Sequence, residues 1–158
     1  MPRDDAEGHV LEMIRDYDAD VQRLWRAVTD PVHLVQWFGP EGTFIDTCAM
    51  DLRQTGAWSC DLRGKESLDL FKVSGVVTSV TAPESGGAGE VSFTWAWHDA
   101  SGTRGEESFV TFRVEPTTRG ARLVLRHVRL TDLDAAQGHA AGWTSSLRKL
   151  DRFFGVSN

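Results

Sequence analysis

The chain is poor in cysteine and tyrosine, with two and one respectively in 158 residues, and no apolar run approaches the ~18 residues a membrane-spanning segment needs. Cys48 and Cys60 are too few for a disulfide framework or a tetrahedral metal site, so reduced thiols are expected. They flank the turn-like segment Arg53-Gln54-Thr55-Gly56, and an antiparallel hairpin of suitable register would set them opposite each other; a redox or metal pair is the minority reading. Several motifs are absent as well: a Gly-x-Ser-x-Gly elbow, a phosphate-binding loop, a dinucleotide fingerprint, a His-Glu-x-x-His pair and a calcium loop. No cofactor and no metal site is therefore expected.

Basic charge is also short. Lysine and arginine number 17 against 23 acidic residues, a net charge of −6 that repels phosphate backbones. Arg119, Arg122, Arg126 and Arg129 form the one basic stretch, but they alternate with apolar residues as one wet face of a strand does. Neither a nucleic-acid partner nor membrane insertion is expected. The polar opening MPRDDAEGH has no signal-peptide core, which makes the cytoplasm the expected location.

What remains is ordinary globular material, 41% hydrophobic and 25% charged, at a length that fits one domain. Residues 1–9 read as an N-terminal tail and 10–155 as the domain. A short strand is expected from Val10 to Arg15. Val21, Leu24, Trp25 and Val28 then place four apolar groups on one helical face, predicting a helix from about Ala19 to Val28 with Asp18 as its N-cap. Thr29-Asp30-Pro31 ends it and starts a second short helix carrying Val32, Leu34 and Val35 toward Trp37.

Beyond Gly39-Pro40 the pattern alternates. Strands are expected near Thr43–Asp51, Ala57–Arg63, Ser67–Val80, Glu90–His98, Gly105–Glu115 and Ala121–Leu130, separated by turn-forming residues and so joined as antiparallel hairpins. After Thr131 and Asp132, read as caps, Ala140, Trp143, Leu147, Leu150 and Phe154 return to helical spacing. The apolar stripe of this long last helix needs a surface to cover it, and the sheet offers the largest one. The class is α+β: a curved antiparallel sheet wrapped on a C-terminal helix.

The strands are rich in aromatics. Phe93, Trp95 and Trp97 alternate on one strand, with Val110, Phe112 and Val114 and then Leu123, Leu125 and His127 on neighbours, so that all nine can face the helix. Where a bent sheet departs from the helix, such rings leave an apolar cavity of the kind that receives small hydrophobic molecules; the bland alternative is a solid core. His127 is the titratable residue on that face. A lone buried histidine is more often a hydrogen-bonded structural group than a base, and no acid stands at a spacing that would complete a dyad or triad. No catalytic residue is assigned.

Val21 to Pro40, VQRLWRAVTDPVHLVQWFGP, resembles the opening of the domain shared by homologues of the heat-shock protein 90 ATPase activator, within the START-like, SRPBCC superfamily. Asp51-Leu52-Arg53-Gln54-Thr55-Gly56 is similar to that family's aspartate, arginine and paired-glycine hairpin, with Thr55 in place of the first glycine. Gly142-Trp143 with Leu147 and Leu150 is similar to its closing helix. Gly75-Val76-Val77, Phe93-Thr94-Trp95, Ser108 to Phe112 and Leu123 to His127 fall in the family's order, so the resemblance covers Val10 to Phe154. It implies a helix-grip fold, with two short helices after the first strand and a cavity between sheet and last helix.

Fold does not choose among the carriers, receptors, cyclases and chaperone partners of such a superfamily. Three readings follow. The first is a module binding a small apolar or aromatic molecule, with Trp37, Phe38, Trp58, Phe71, Trp95, Trp97, Phe112, His127 and Trp143 as its candidate lining. The second is a protein-interaction module, either a chaperone partner or a regulator, using the acidic outer surface, with the Trp37-Phe38-Gly39-Pro40 loop as an exposed apolar anchor. A separate chaperone-binding domain is not expected in so short a chain. The third is a cyclase-like enzyme in which His127 handles protons.

Overall fold

The structure, a computed structural model, describes residues 9–130 and 133–155. It contains β1 (His9–Tyr17), α1 (Val21–Thr29), α2 (Pro31–Trp37), β2 (Thr43–Ala49), β3 (Gly56–Gly64), β4 (Leu70–Thr81), β5 (Gly89–Trp97), β6 (Ser108–Pro116), β7 (Ala121–Leu130) and α3 (Leu133–Phe153). The expected tail, apart from His9, and the caps Thr131 and Asp132 lie outside the described residues.

Seven antiparallel strands form one sheet in the order β1-β7-β6-β5-β4-β3-β2, so every neighbour is a hairpin partner except the β1–β7 pair, which joins the two ends of the chain. This is the α+β layout that the residue pattern implies and the helix-grip fold that the resemblance implies. Asp20, not Asp18, caps α1: its carboxylate accepts from the Arg23 N–H at 2.8 Å. The shift follows from burial, because a helix starting at Val21 puts Val21, Leu24, Trp25 and Val28 all inside. Asp30 ends α1 and caps α2, accepting from the Val32 N–H at 2.9 Å, with Pro31 at the first helical position.

Strand boundaries shift where side chains claim the backbone. The strand expected from Gly105 begins at Ser108, because the Asp99 carboxylate accepts from the Ser101 and Thr103 N–H groups and the Arg104 guanidinium bonds to Ser74 and Glu107. β4 begins at Leu70 rather than Ser67, after a tight turn with Leu68 at φ 63°. Gly75 stands opposite Trp58, whose indole N–H donates to the Thr94 carbonyl at 3.0 Å. A Cβ at position 75 would come within 1.9 Å of that oxygen, so only glycine fits between the two strands.

The nine alternating residues of β5, β6 and β7 all point to the concave side; eight are buried and Trp97 is half-buried. At one end of that face Leu24, Leu34, Trp37, Phe112, Leu147 and Leu150 close a solid core, and the Trp37 indole donates to the Ala27 carbonyl at 2.8 Å. The last turn of α3 is tied to β1 by the Tyr17 hydroxyl, which donates to the buried Asp151 carboxylate at 2.6 Å, with the Arg15 guanidinium 3.7 Å away. Burial and then the Asp151 bond push the Tyr17 phenol above its ordinary range.

Candidate functional site

The other end of the concave face is not filled. A cleft of about 300 Å³ lies between α3 and the sheet, walled by Trp95 and Trp97 of β5, Leu62 of β3 and the segment Phe38-Gly39-Pro40 after α2. From α3 come Gly138, His139, Gly142, Trp143 and Ser146. Gly138, Gly142 and Ser146 are spaced by four, a step of about 6 Å along one helical face, so that face carries almost no side-chain volume. A Cβ at either glycine would meet no heavy atom within 4 Å. The emptiness is thus a property of the helix.

The lip of the cleft is held in place. Gly39 has φ +95°, and a Cβ there would press on Leu62 at 3.0 Å and Thr43 at 3.3 Å. The Glu41 N–H donates to Ser145 Oγ at 2.6 Å, and Arg152 pairs with the Glu41 carboxylate, which it holds below the usual carboxylate range. Phe38 stacks edge-on against Trp58, Trp95 and Trp143, with centroids 5.7 to 6.5 Å apart.

Behind this wall runs a hydrogen-bonded chain. The Trp143 indole N–H donates to His127 Nδ1 at 3.0 Å, which makes Nδ1 the unprotonated nitrogen. In the neutral ring the proton is then on Nε2, 2.6 Å from Ser108 Oγ, and the serine hydroxyl in turn faces the Trp95 carbonyl at 3.4 Å. Burial, and secondarily the neighbouring His139, pull the pKa of His127 from 6.5 down to about 3. Both ring nitrogens are hydrogen-bonded within the packing and burial favours the neutral ring, an arrangement that supports a structural role for His127 over the proton-handling one of the cyclase-like reading.

His139 is the cleft histidine that the sequence reading omits. Its Nε2 accepts from the Trp97 indole at 3.2 Å, and its ring lies 4.6 Å from that of His127. Trp95, Trp97 and His139 form a partition, since they also wall a second cavity of about 180 Å³ on the side of Glu106, Glu107 and Arg129. The indole nitrogen of Trp95 is buried with no hydrogen-bond partner among the described residues.

Of the nine residues proposed as lining, Phe38, Trp95, Trp97 and Trp143 stand in the cleft wall. Trp37, Trp58, Phe112 and His127 are fully or almost fully buried in the packing behind it. Phe71 faces the same side as its register partner Leu62 but is half-exposed, outside the wall. Period-2 alternation identifies the face a strand residue points to, and only the helix laid over that face decides which residues border empty space. Trp37 and Phe38 are 0% and 3% exposed, which overturns the expectation of an apolar surface anchor. Among the described residues no group of three or more histidine, cysteine, aspartate or glutamate side chains could hold a metal ion, and no helix is long and apolar enough to cross a membrane.

Comparison with known proteins places this architecture. The AHSA1 protein of Silicibacter pomeroyi is 40% identical, with a TM-score of 0.82 over 90% of this chain and 94% of that one. A Chromobacterium violaceum protein at 22% identity has a TM-score of 0.79 over 94% and 98% of the two chains. An AHSA1-like protein of Aeromonas hydrophila, 17% identical, has a TM-score of 0.69 over 92% and 91%. No curated protein sequence matches. The family described as activator of Hsp90 ATPase homolog 1-like protein matches residues 18–155, from the end of β1 to the close of α3, and the chain belongs to that family.

Proposed function

We propose that the chain is a binding protein for a small apolar or aromatic molecule, held in the cleft between sheet and α3. The observation that carries this reading is the cleft itself: about 300 Å³ of space bordered by three indoles, one phenyl ring and a glycine-faced helix. For scale, an apolar cavity of about 150 Å³ takes benzene. Offset and edge-on contacts with Phe38, Trp95, Trp97 and Trp143 would supply most of the affinity to an aromatic guest. A chaperone-partner role ranks second and rests on the family's description alone. Catalysis ranks third.

Titration of intrinsic tryptophan fluorescence with a panel of aromatic and fatty-acid compounds tests the reading, because three of the six tryptophans border the cleft. A saturable response at micromolar protein is expected, and Gly142→Leu, which places an isobutyl group in the space, abolishes it. A flat titration across the panel, or a response that Gly142→Leu leaves unchanged, would overturn the assignment.

A further inference from the structure

At the edge of the sheet, β2 and β3 place Cys48 directly opposite Cys60. Directly opposed residues of an antiparallel pair have Cα atoms about 4.5 or 5.5 Å apart, and both separations fall within the span that a disulfide bridges. Both thiols are free, and each acts on the other's ionisation. Their surroundings differ. Cys60 points into the core beside Trp58 and Leu62 and is 1% exposed. Cys48 is half-buried and borders a separate cleft of about 360 Å³ between the start of α2 and the β2–β3 turn, where Pro31, Met50, Asp51 and Gln54 also stand. Solvent reaches one sulfur of the pair, and the other waits behind it.

We propose that Cys48 and Cys60 form an oxidisable two-thiol site, in which Cys48 reacts with a small hydroperoxide and Cys60 resolves the product to an intrachain disulfide. The Cys48 thiolate attacks the peroxide oxygen; the O–O bond breaks, the hydroperoxide leaves as water or an alcohol once protonated, and Cys48 becomes a sulfenic acid. The Cys60 sulfur then attacks the Cys48 sulfur, losing its proton as the sulfenic hydroxyl departs as water. Two thiols are oxidised by two electrons and the peroxide is reduced by the same two.

The division of roles follows from access and from charge. The facing Cys60 thiol holds Cys48 below an ordinary thiol, against the opposing effects of burial and of Asp61. The same partnership, with burial and Asp61, pushes Cys60 up, so Cys60 stays protonated until its neighbour has reacted. The register makes the two cysteines direct cross-strand partners before oxidation, at a Cα spacing that a disulfide spans.

Intact-mass measurement of the whole protein after hydrogen peroxide treatment and N-ethylmaleimide quenching tests the assignment. The expected product has lost two hydrogen atoms, carries no maleimide, and on digestion yields one peptide joining β2 to β3. In Cys60→Ser, Cys48 is trapped by dimedone as the sulfenic acid. In Cys48→Ser, peroxide oxidation of the remaining thiol is slower by about tenfold or more, as expected for a buried, protonated sulfur. Retention of two maleimide-reactive thiols under peroxide, covalent dimers as the only product, or equal reactivity of Cys60 in Cys48→Ser would each overturn the proposal.

Discussion

The two halves of α3 meet the same sheet with opposite results. Toward its C-terminal end the helix carries Leu147 and Leu150, both wholly buried in the core cluster that also holds Leu24, Leu34 and Phe112. In the preceding turns Gly142 and Gly138 occupy the face that borders the cleft, beside the stripe of Trp143, Leu147 and Leu150, and the space there stays empty. Trp143 sits between the halves, filling one side while its indole reaches His127. A single helix thus acts as plug and as floor, through bulky side chains on one stripe and missing ones on the face beside it.

That contrast is open to direct attack. At the packed end Leu147→Ala leaves a hole the surrounding leucines cannot close, and a loss of about 2–5 kcal/mol is expected in denaturant unfolding. A loss below about 1 kcal/mol would mean that this end is as loosely filled as the other.

At the boundary, His127→Gln removes a titrating group while offering the Trp143 indole an acceptor and Ser108 a donor. His127 stays neutral in the folded chain down to about pH 3, whereas the unfolded chain takes up its proton near 6.5. The unfolded state therefore binds more protons between those values. This contribution to stability is complete above about pH 6.5 and drains away as the pH falls, with a slope of at most about 1.4 kcal/mol per pH unit. Unfolding measured between pH 7 and pH 4 should show a visibly flatter profile in the variant. Parallel profiles would show that other groups carry the acid sensitivity.

At the open end the effect is smallest and of opposite sign. Gly138→Ala projects its methyl group into space and lowers the backbone freedom of the unfolded chain, so a gain of about 0.5–1 kcal/mol is expected from thermal unfolding. A loss would mean that the helix backbone at Gly138 is needed as glycine for some closer approach.

Much of this was legible in the residue order, and the gaps have physical causes. The period change at Gly39-Pro40, the alternation through β5, β6 and β7, and the stripe from Trp143 to Leu150 all follow from apolar side chains, which announce the face they bury. The cleft is made by side chains that are missing, and glycine has no place in a hydrophobic period. Gly138 and Gly142 therefore carry no signal of that kind, although their spacing of four with Ser146 was there to be read. His139 escapes for a related reason: the stripe read from Ala140 onward steps past it, while its position four residues before Trp143 puts both on one face. The cross-strand cysteine pair, by contrast, followed from its turn, because hairpin register is local.

The pairing of β1 with β7, and of Tyr17 with Asp151, has a bearing on how the chain comes to be folded at all. Hairpins from β2 to β7 join neighbours in sequence and can assemble as each strand becomes available. The first strand has no such neighbour: its sheet partner begins at Ala121, and its tyrosine finds its carboxylate 134 residues downstream. In synthesis from N- to C-terminus β1 emerges before β7, so it waits unpaired until residues 121–130 follow, and the β7 edge of the sheet is covered only when β1 docks on it.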